Sequence, residues 1–387
     1  MSAAHWTLNP QRPLPMIHLC CIVGARPNFM KMAPLLRAID RDSDFTATLV
    51  HTGQHYDPSL SDVFFQELGM RTPDVHLNVG SGKQGEQTAR ILEGMEKVLE
   101  AGPGGGAKFD RLVVVGDVNS TMAASLAAAK LCIPIAHVEA GLRSWDRTMP
   151  EEVNRLVTDA ISDLLLVSEP SGIENLRREG HPDSSIVHVG NIMIDTLLVQ
   201  LPMARDRSIL KEQGLIPGKY GVITLHRPAN VDEKESLSKL IEVLAEVSQH
   251  MPLIFPIHPR TRARIESFGL STALESSSNM RLTPPLGYLD FLALTSQAQV
   301  IVTDSGGLQE ESTVLGVPCL TMRPNTERPT TVSVGTSTLI GSDFEMLRTE
   351  FQKVLSGTYK RGRIPEFWDG QTASRIMVAL RRHHGLV

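Results

Sequence analysis

The hydrophobic positions fall into short apolar runs, each followed by a polar turn and then by a stretch of helical period. Ile17–Val23 is apolar and runs into Gly24-Ala25-Arg26-Pro27, after which Met32, Leu35, Leu36 and Ile39 recur at helical spacing. Phe45–His51 reads as the next strand and Gln87–Leu99 as a helix. Leu112–Val115 reads as a short buried strand leading into Gly116-Asp117, Thr121–Leu131 as an alanine-rich helix, and Pro134–Val138 as another strand. Strands separated by helices pair in parallel, so this alternation predicts a doubly wound α/β sheet. Val153, Leu156, Val157, Ala160, Ile161 and Leu164 then fall at i, i+3, i+4, i+7, i+8 and i+11, one apolar face of a helix. Thr148 and Glu151 before it have capping-box spacing, with Pro150 in the first turn.

The alternation then restarts. Gly221–Leu225 ends at His226, Leu237–Val247 is helical, and Leu253–Ile257 ends at His258. Leu289–Ala298 is helical, and Val300–Thr303 leads into Asp304-Ser305-Gly306-Gly307 and a short helix stopped by Gly316 and Pro318. The chain thus reads as two α/β halves, residues 16–197 and 215–369, with a helix in 370–387 available to complete the first. The joint near residues 195–215 holds Pro202 and a charged stretch, with Pro217 just beyond, as linkers do.

Composition narrows the function classes. A chain of 387 residues is long enough for two domains at roughly 100–200 residues each. With 41% hydrophobic and 21% charged residues it is a folding composition, not a disordered one. The net charge of −5 argues against a broad nucleic-acid footprint, and 5% aromatics argue against a stacking platform for single strands. Cys20, Cys21, Cys132 and Cys319 form neither a disulfide framework nor a zinc spacing, which points to a reducing, cytoplasmic setting. No apolar run is long enough to cross a membrane. Met16–Ala25, broken by His18 and without a basic flank, reads as a strand, not a signal peptide, and the first 15 residues as a loose tail.

Open α/β sheets bind ligands at the carboxyl ends of their strands. The polar residues placed there are Arg26, Asp117, Glu139, His226, His258 and Ser305. Arg26 and Lys31 flank a helix start, where free N–H groups suit phosphate. Ser305-Gly306-Gly307 opens another helix, and adjacent glycines let backbone approach a ligand. Glu311, one turn in, can accept from ribose hydroxyls. Asp117, Glu139 and Glu151 are candidates for acid–base work on a sugar. Each has a plainer alternative: Asp117 as a helix cap, Glu139 as a partner of Arg143, and Glu151 as half of the capping box. Gly80-Ser81-Gly82-Lys83-Gln84-Gly85 fits G-x-G-x-x-G literally but follows a poor strand and lacks the acidic strand end, so no nicotinamide cofactor is expected. Gly102–Gly106 precedes a strand and reads as a loop. No metal-ligand cluster is evident, and His383-His384 reads as solvated.

Taken together, these residues resemble the non-hydrolysing UDP-N-acetylglucosamine 2-epimerases. The carrying segments are Gly24–Leu36, Thr52–Tyr56, Gly116–Thr121, His137–Arg143, Pro150–Arg155, Gly190–Leu197, Thr224–Arg227, Thr303–Glu311 and Met322–Pro329. The resemblance implies two Rossmann-like doubly wound domains facing a central cleft, the GT-B-like architecture of many nucleotide-sugar glycosyltransferases. It implies interconversion of UDP-GlcNAc and UDP-ManNAc, or a related UDP-2-acetamido sugar, without metal or other cofactor, by a homodimer. It implies that Arg26 and Lys31 lie near the diphosphate, that Ser305, Gly306 and Gly307 donate to phosphate, and that Glu311 holds the ribose. Phe291 would flank the uracil and Arg328 line the cleft, while Asp117, Glu139, Glu151 and His226 match positions implicated in catalysis. A glycosyltransferase of the same architecture, a hydrolysing 2-epimerase and a non-catalytic nucleotide-sugar sensor are the alternatives.

Overall fold

The computed structural model describes residues 16–54, 67–275 and 279–386. The expected N-terminal tail, together with His55 and Tyr56 of the Thr52–Tyr56 segment, lies outside the described residues. Among the described residues the strands form two wholly parallel sheets. The first contains β1 (Ile17–Val23), β2 (Phe45–His51), β3 (Val75–His76), β4 (Arg111–Val115), β5 (Ile135–Ala140), β6 (Leu164–Val167) and β7 (Ile186–His188), in the order β3-β2-β1-β4-β5-β6-β7. The second contains β8 (Gly221–Thr224), β9 (Leu253–Pro256), β10 (Met280–Thr283), β11 (Val300–Thr303), β12 (Cys319–Thr321) and β13 (Ser337–Leu339), in the order β10-β9-β8-β11-β12-β13. The order reverses between β1 and β4 in one sheet and between β8 and β11 in the other. At such a reversal the following loops diverge and leave a crevice at the strands' carboxyl ends.

The strands are apolar because both faces are covered. Along β1, Leu19, Cys21 and Val23 pack towards Met32, Leu35 and Ile39, while Cys20 and Ile22 pack on the other face with Ile91, Met95 and the small side chains Ala123, Ala124 and Ala127. The first of these cores continues into the second sheet through Leu197, Leu292, Val222 and Ile301, so the two halves share buried apolar contacts. The far face of the second sheet packs Ile223, Phe255 and Val302 against Leu237, Leu240 and Leu244.

Three readings of the pattern change here. The helix Pro150–Ala160 ends before Leu164, which opens β6. Its buried side is polar, made of Glu152, Asn154, Arg155, Thr158 and Asp159, while Val153 is 43% exposed. The polar side turns inward because buried charged and polar groups of β5 and the β4 exit face it. No capping box forms: Met149 is the cap residue, and Thr148 Oγ1 donates instead to Asp146 Oδ1 at 2.6 Å.

The supposed joint is largely helical. Ile192–Arg205 runs through Pro202 and packs against Arg26–Ile39 on one side and against Tyr288–Ser296 and Gly306–Leu315 on another. The terminal helix Thr372–His383 is docked as well. Asp195 accepts the backbone N–H groups of Thr372 at 3.1 Å and Ala373 at 2.8 Å, and Arg381 pairs with Asp42 and Asp44. His384 is therefore held in place, with its Nε2 3.3 Å from Arg111 Nε, and is not a solvated tail residue.

Candidate active site

The polar turns of the two sheets meet in one cleft. Its cavity holds about 370 Å³ and is lined from the first sheet by Arg26, Lys31, Asp117, Glu151 and Arg155. From the second it is lined by Tyr288, Phe291, Ser305, Gly306, Gly307, Glu310, Glu311, Glu327 and Arg328. A volume of this order suits a small-molecule ligand. Among the described residues, no three His, Cys, Asp or Glu side chains converge as a metal-ligand set.

Glu139 is the best-held carboxylate of the cleft. Its φ is +75°, in the left-handed region, and the register of β5 against β6 shifts between Val138 and Ala140. Such a bulge re-aims a side chain and is strained for a residue with a Cβ. The re-aimed carboxylate pairs with Lys31 Nζ and accepts from Arg328 Nη2 at 3.1 Å. Gly116, with φ +67°, makes this possible: a Cβ there would stand 3.0 Å from Lys31 Nζ and 3.3 Å from Glu139 Oε2. Burial disfavours the Glu139 carboxylate, but Lys31 and Arg328 outweigh it and hold the group below its ordinary range. Arg143, the plainer candidate partner, turns instead to Asp159 and Glu179.

Arg328 gathers three carboxylates. Besides Glu139 it meets Glu310, whose Oε1 is 2.6 Å from Nε, and Glu327. Glu310 Oε1 also accepts from Asn191 Nδ2 at 2.8 Å. Burial pushes Glu310 up, Arg328 opposes it, and Glu139 adds to the rise. Burial also works against the Glu327 carboxylate, yet Arg328 and Arg323 hold it well below the carboxylate range.

Asp117 is not a helix cap. The cap of Asn119–Lys130 is Val118, and the Asp117 carboxylate pairs with Arg155. Arg155 Nη2 lies 2.6 Å from Glu152 Oε2, and Glu152 accepts the N–H groups of Ser144 at 2.9 Å and Trp145 at 3.0 Å. Glu151, freed from the capping role, is exposed at the cavity wall.

Across the cleft, the helix Gly306–Leu315 lines the cavity with its first residues, Gly306, Gly307 and Leu308. A Cβ on Gly306 would come 3.0 Å from Arg328 Nη1 and Glu327 Oε1, whereas one on Gly307 would meet nothing within 4 Å. Glu311 accepts from Tyr288 Oη at 3.2 Å, and burial pushes its carboxyl up to about 7. His226 is not among the residues lining this cavity. Its Nδ1 is 2.9 Å from Asp304 Oδ1, and Asp304 also takes the backbone N–H of Arg227 at 2.9 Å and Asn230 Nδ2 at 3.0 Å. Asp304 thus gathers the β8 exit onto itself, and the His226 ring faces His258 at 5.7 Å.

The structure therefore lines one cavity with Arg26, Lys31, Asp117, Glu151, Phe291, Ser305–Gly307, Glu311 and Arg328, sets Glu139 behind it against Lys31 and Arg328, and leaves His226 and His258 off the lining, although Arg227 beside His226 is on it. Arg155, Glu310, Glu327 and Tyr288 have no part in the strand-exit reasoning. For Glu310 and Glu327 the signal in the sequence is charge recurring in Glu310-Glu311 and Arg323–Arg328; Arg155 and Tyr288, within helices, carry none.

Two parallel α/β sheets that share a cleft lined by a carboxylate–cation cluster and a glycine-rich helix start define a GT-B-like nucleotide-sugar protein. A family model described as UDP-N-acetylglucosamine 2-epimerase matches residues 37–381. A UDP-N-acetylglucosamine 2-epimerase of Methanocaldococcus jannaschii is 41% identical over 364 residues, covering 93% of this chain and 97% of that protein. The crystal structure of the Methanocaldococcus jannaschii UDP-GlcNAc 2-epimerase in complex with UDP-GlcNAc and UDP superposes with a TM-score of 0.84 over 95% of this chain and 100% of that one, at 40% identity. A UDP-2,3-diacetamido-2,3-dideoxy-D-glucuronate 2-epimerase of Pseudomonas aeruginosa is 38% identical over 360 residues, covering 92% of this chain and 97% of that protein. The chain belongs to the UDP-N-acetylglucosamine 2-epimerase family, a family of isomerases.

Proposed function

We propose that the protein interconverts UDP-GlcNAc and UDP-ManNAc by inverting C2, through elimination of UDP to a 2-acetamidoglucal and re-addition. The observation that supports this best is Glu139, a buried carboxylate held between Lys31 and Arg328 at the end of the cleft's first sheet. The C2 hydrogen is not α to a carbonyl and is barely acidic. Expelling UDP from C1 makes that carbon electron-poor, and C2 can then lose its proton. Returning a proton to the opposite face, with UDP re-adding, gives the epimer.

The chemistry needs positive charge and N–H dipoles for departing UDP, a base and an acid on different faces, and exclusion of water. In this reading Arg26, Lys31 and Arg328 with the backbone of Ser305, Gly306 and Gly307 receive the diphosphate. Glu311 takes the ribose hydroxyls and Phe291 flanks the uracil. Asp117, Glu139 and Glu151 carry the proton transfers. His226, paired with Asp304, serves the turn that borders the site, between the cavity-lining Arg227 and Ser305. In this reading no metal or nicotinamide is assigned a role. The protein acts in the cytoplasm as a homodimer, a reading that rests on the family's substrate class and the resemblance of the chain.

The Pseudomonas aeruginosa relative favours a second substrate, a UDP-2,3-diacetamido uronate. The test incubates both UDP-sugars with the protein in D2O and follows them by NMR. Epimer carrying deuterium at C2 is expected from UDP-GlcNAc. Turnover of the uronate alone would reassign the sugar, and epimer without deuterium would refute deprotonation by a solvent-exchanging group.

A further inference from the structure

His137 lies on β5, two residues before Glu139, and its side chain is fully buried. Both ring nitrogens meet oxygen: Nδ1 is 2.6 Å from Asp159 Oδ1, and Nε2 is 2.8 Å from the Gly116 carbonyl oxygen. A peptide carbonyl only accepts, so Nε2 must carry a hydrogen. Nδ1 faces Asp159, whose Oδ2 takes the Gly141 N–H at 3.0 Å and Arg143 Nη2 at 2.7 Å. A guanidinium and a backbone N–H on its second oxygen are the partners of an ionised carboxylate. An ionised acceptor at Nδ1 and a carbonyl at Nε2 leave no place for a ring lone pair.

Charge balance points the same way. Arg143 is shared with Glu179, its Nε 2.8 Å from Oε1 and its Nη2 2.6 Å from Oε2. Asp159 and Glu179 against one guanidinium leave a negative charge, which an imidazolium neutralises.

We infer that His137 is held as an imidazolium, protonated on both ring nitrogens, and that it is a positioning residue for Asp117. Three anchors fix Asp117. His137 Nε2–H donates to the carbonyl of Gly116, the peptide oxygen immediately before it. Asn154 Nδ2 donates to the Asp117 carbonyl at 2.8 Å, and Arg155 holds the carboxylate. Asn154 and Arg155 sit on the helix Pro150–Ala160, and His137 is tied to that helix through Asp159. The inward polar face of the helix is thus a template that sets one carboxylate. The charged groups around the ring are Asp159 from the helix, Arg143 from the turn after β5, and Glu139 further along β5. Loss of the Nε2 proton would set a lone pair against the Gly116 carbonyl and release the Gly116-Asp117 turn.

The role given to Asp117 rests on the proposed epimerisation; the protonation state rests on the hydrogen bonds alone. The two are tested separately. Nitrogen-15 NMR of histidine-labelled protein at neutral pH, without substrate, should show both His137 ring nitrogens protonated. A signal from an unprotonated ring nitrogen, as in a neutral imidazole beside a protonated Asp159, would overturn the inference whatever reaction the protein catalyses. For the positioning role, His137→Gln should lower kcat by ~10²-fold, the scale of a small misplacement, with KM nearly unchanged. Adding Asp117→Asn to that variant should cost little more, because both changes act through one group. Full additivity of the two losses would overturn it. If His137→Gln does not fold, Asp159→Asn takes its place in the same cycle, with the same expected and overturning outcomes.

Discussion

Arg328 Nη2 lies 3.1 Å from Glu139 Oε1, so a loop of the second sheet touches the bulged strand of the first. The same guanidinium is the counter-ion of Glu310 and Glu327. Removing one partner from a buried charge cluster leaves the others uncompensated, at about 3–5 kcal/mol. Arg328→Ala should therefore lower the unfolding free energy by about that amount in urea titrations, in addition to abolishing turnover. Arg328→Lys restores the charge but not the planar fork and should recover only part of the loss. A stable Arg328→Ala variant would mean that the three carboxylates are not held as described.

Buried carboxyls raised by desolvation, Glu169, Asp195, Glu310 and Glu311, set the stability trend at mildly acidic pH. Burial pushes Glu169 up to about 7 and Glu311 up to about 7. A raised group binds its proton more tightly folded than unfolded. Its contribution is full below the ordinary value of 4.5 and is lost as pH rises through about 7. Glu139, Asp159, Asp304 and Glu327 are lowered, so their contribution is present above the ordinary range and lost as pH falls below it. Glu169→Gln should thus match the parent near pH ~4 and exceed its stability by up to roughly 3 kcal/mol near pH ~8. Denaturant midpoints at the two pH values check this. Equal stability of the two proteins near pH 8 would mean that burial does not burden Glu169.

Most of this fold is legible in the chain because its central strands are buried on both faces. Phe45–His51 and Val300–Thr303 coincide with the strands read from the pattern, and the turns after β1, β4 and β11 carry the polar residues that line the cleft. Edge strands are harder to read. β3, β7 and β13 have two or three residues, too few to show a period. The helix Pro150–Ala160 misleads for a different reason. Periodicity reports that one side differs from the other, and burial of the apolar side is only the usual outcome. Here Glu152, Arg155 and Asp159 find partners inside, and Val153 is left outside. The Lys31–Glu139–Arg328 cluster joins residues far apart in the chain, so no local spacing announces it.

Gly306 and Gly307 are neighbours with different tasks, and alanine should separate them. At Gly306 the new methyl would press on Arg328 and Glu327 at 3.0 Å, so Gly306→Ala should cost about 1–3 kcal/mol of stability, as overpacking does. At Gly307 it meets nothing within 4 Å, so stability should hold or rise by up to ~1 kcal/mol. The methyl would nevertheless project into the space proposed for the diphosphate. Calorimetric titration with UDP should show weaker binding by Gly307→Ala. Parent-like affinity in that variant would place the phosphates elsewhere.

Glu151 and Glu152 are adjacent, and the structure sets them opposite fates. Glu152 is buried, accepting from Ser144, Trp145 and Arg155, so it organises the turn that follows β5. Glu151 is exposed at the cavity wall, with no capping box for it to complete. Replacing each by Gln keeps the shape and removes the charge. Glu152→Gln should be felt as instability, about 1–3 kcal/mol, because the buried Arg155 loses a charged partner, and its kcat should fall only as far as Arg155 shifts Asp117. Glu151→Gln should leave stability within about 0.5 kcal/mol and lower kcat by at least ~10²-fold, with a smaller effect on KM. Thermal unfolding and initial-rate kinetics on the two purified variants distinguish the roles. A fully active Glu151→Gln would remove this carboxylate from the chemistry and leave Asp117 and Glu139 to carry the proton transfers between them.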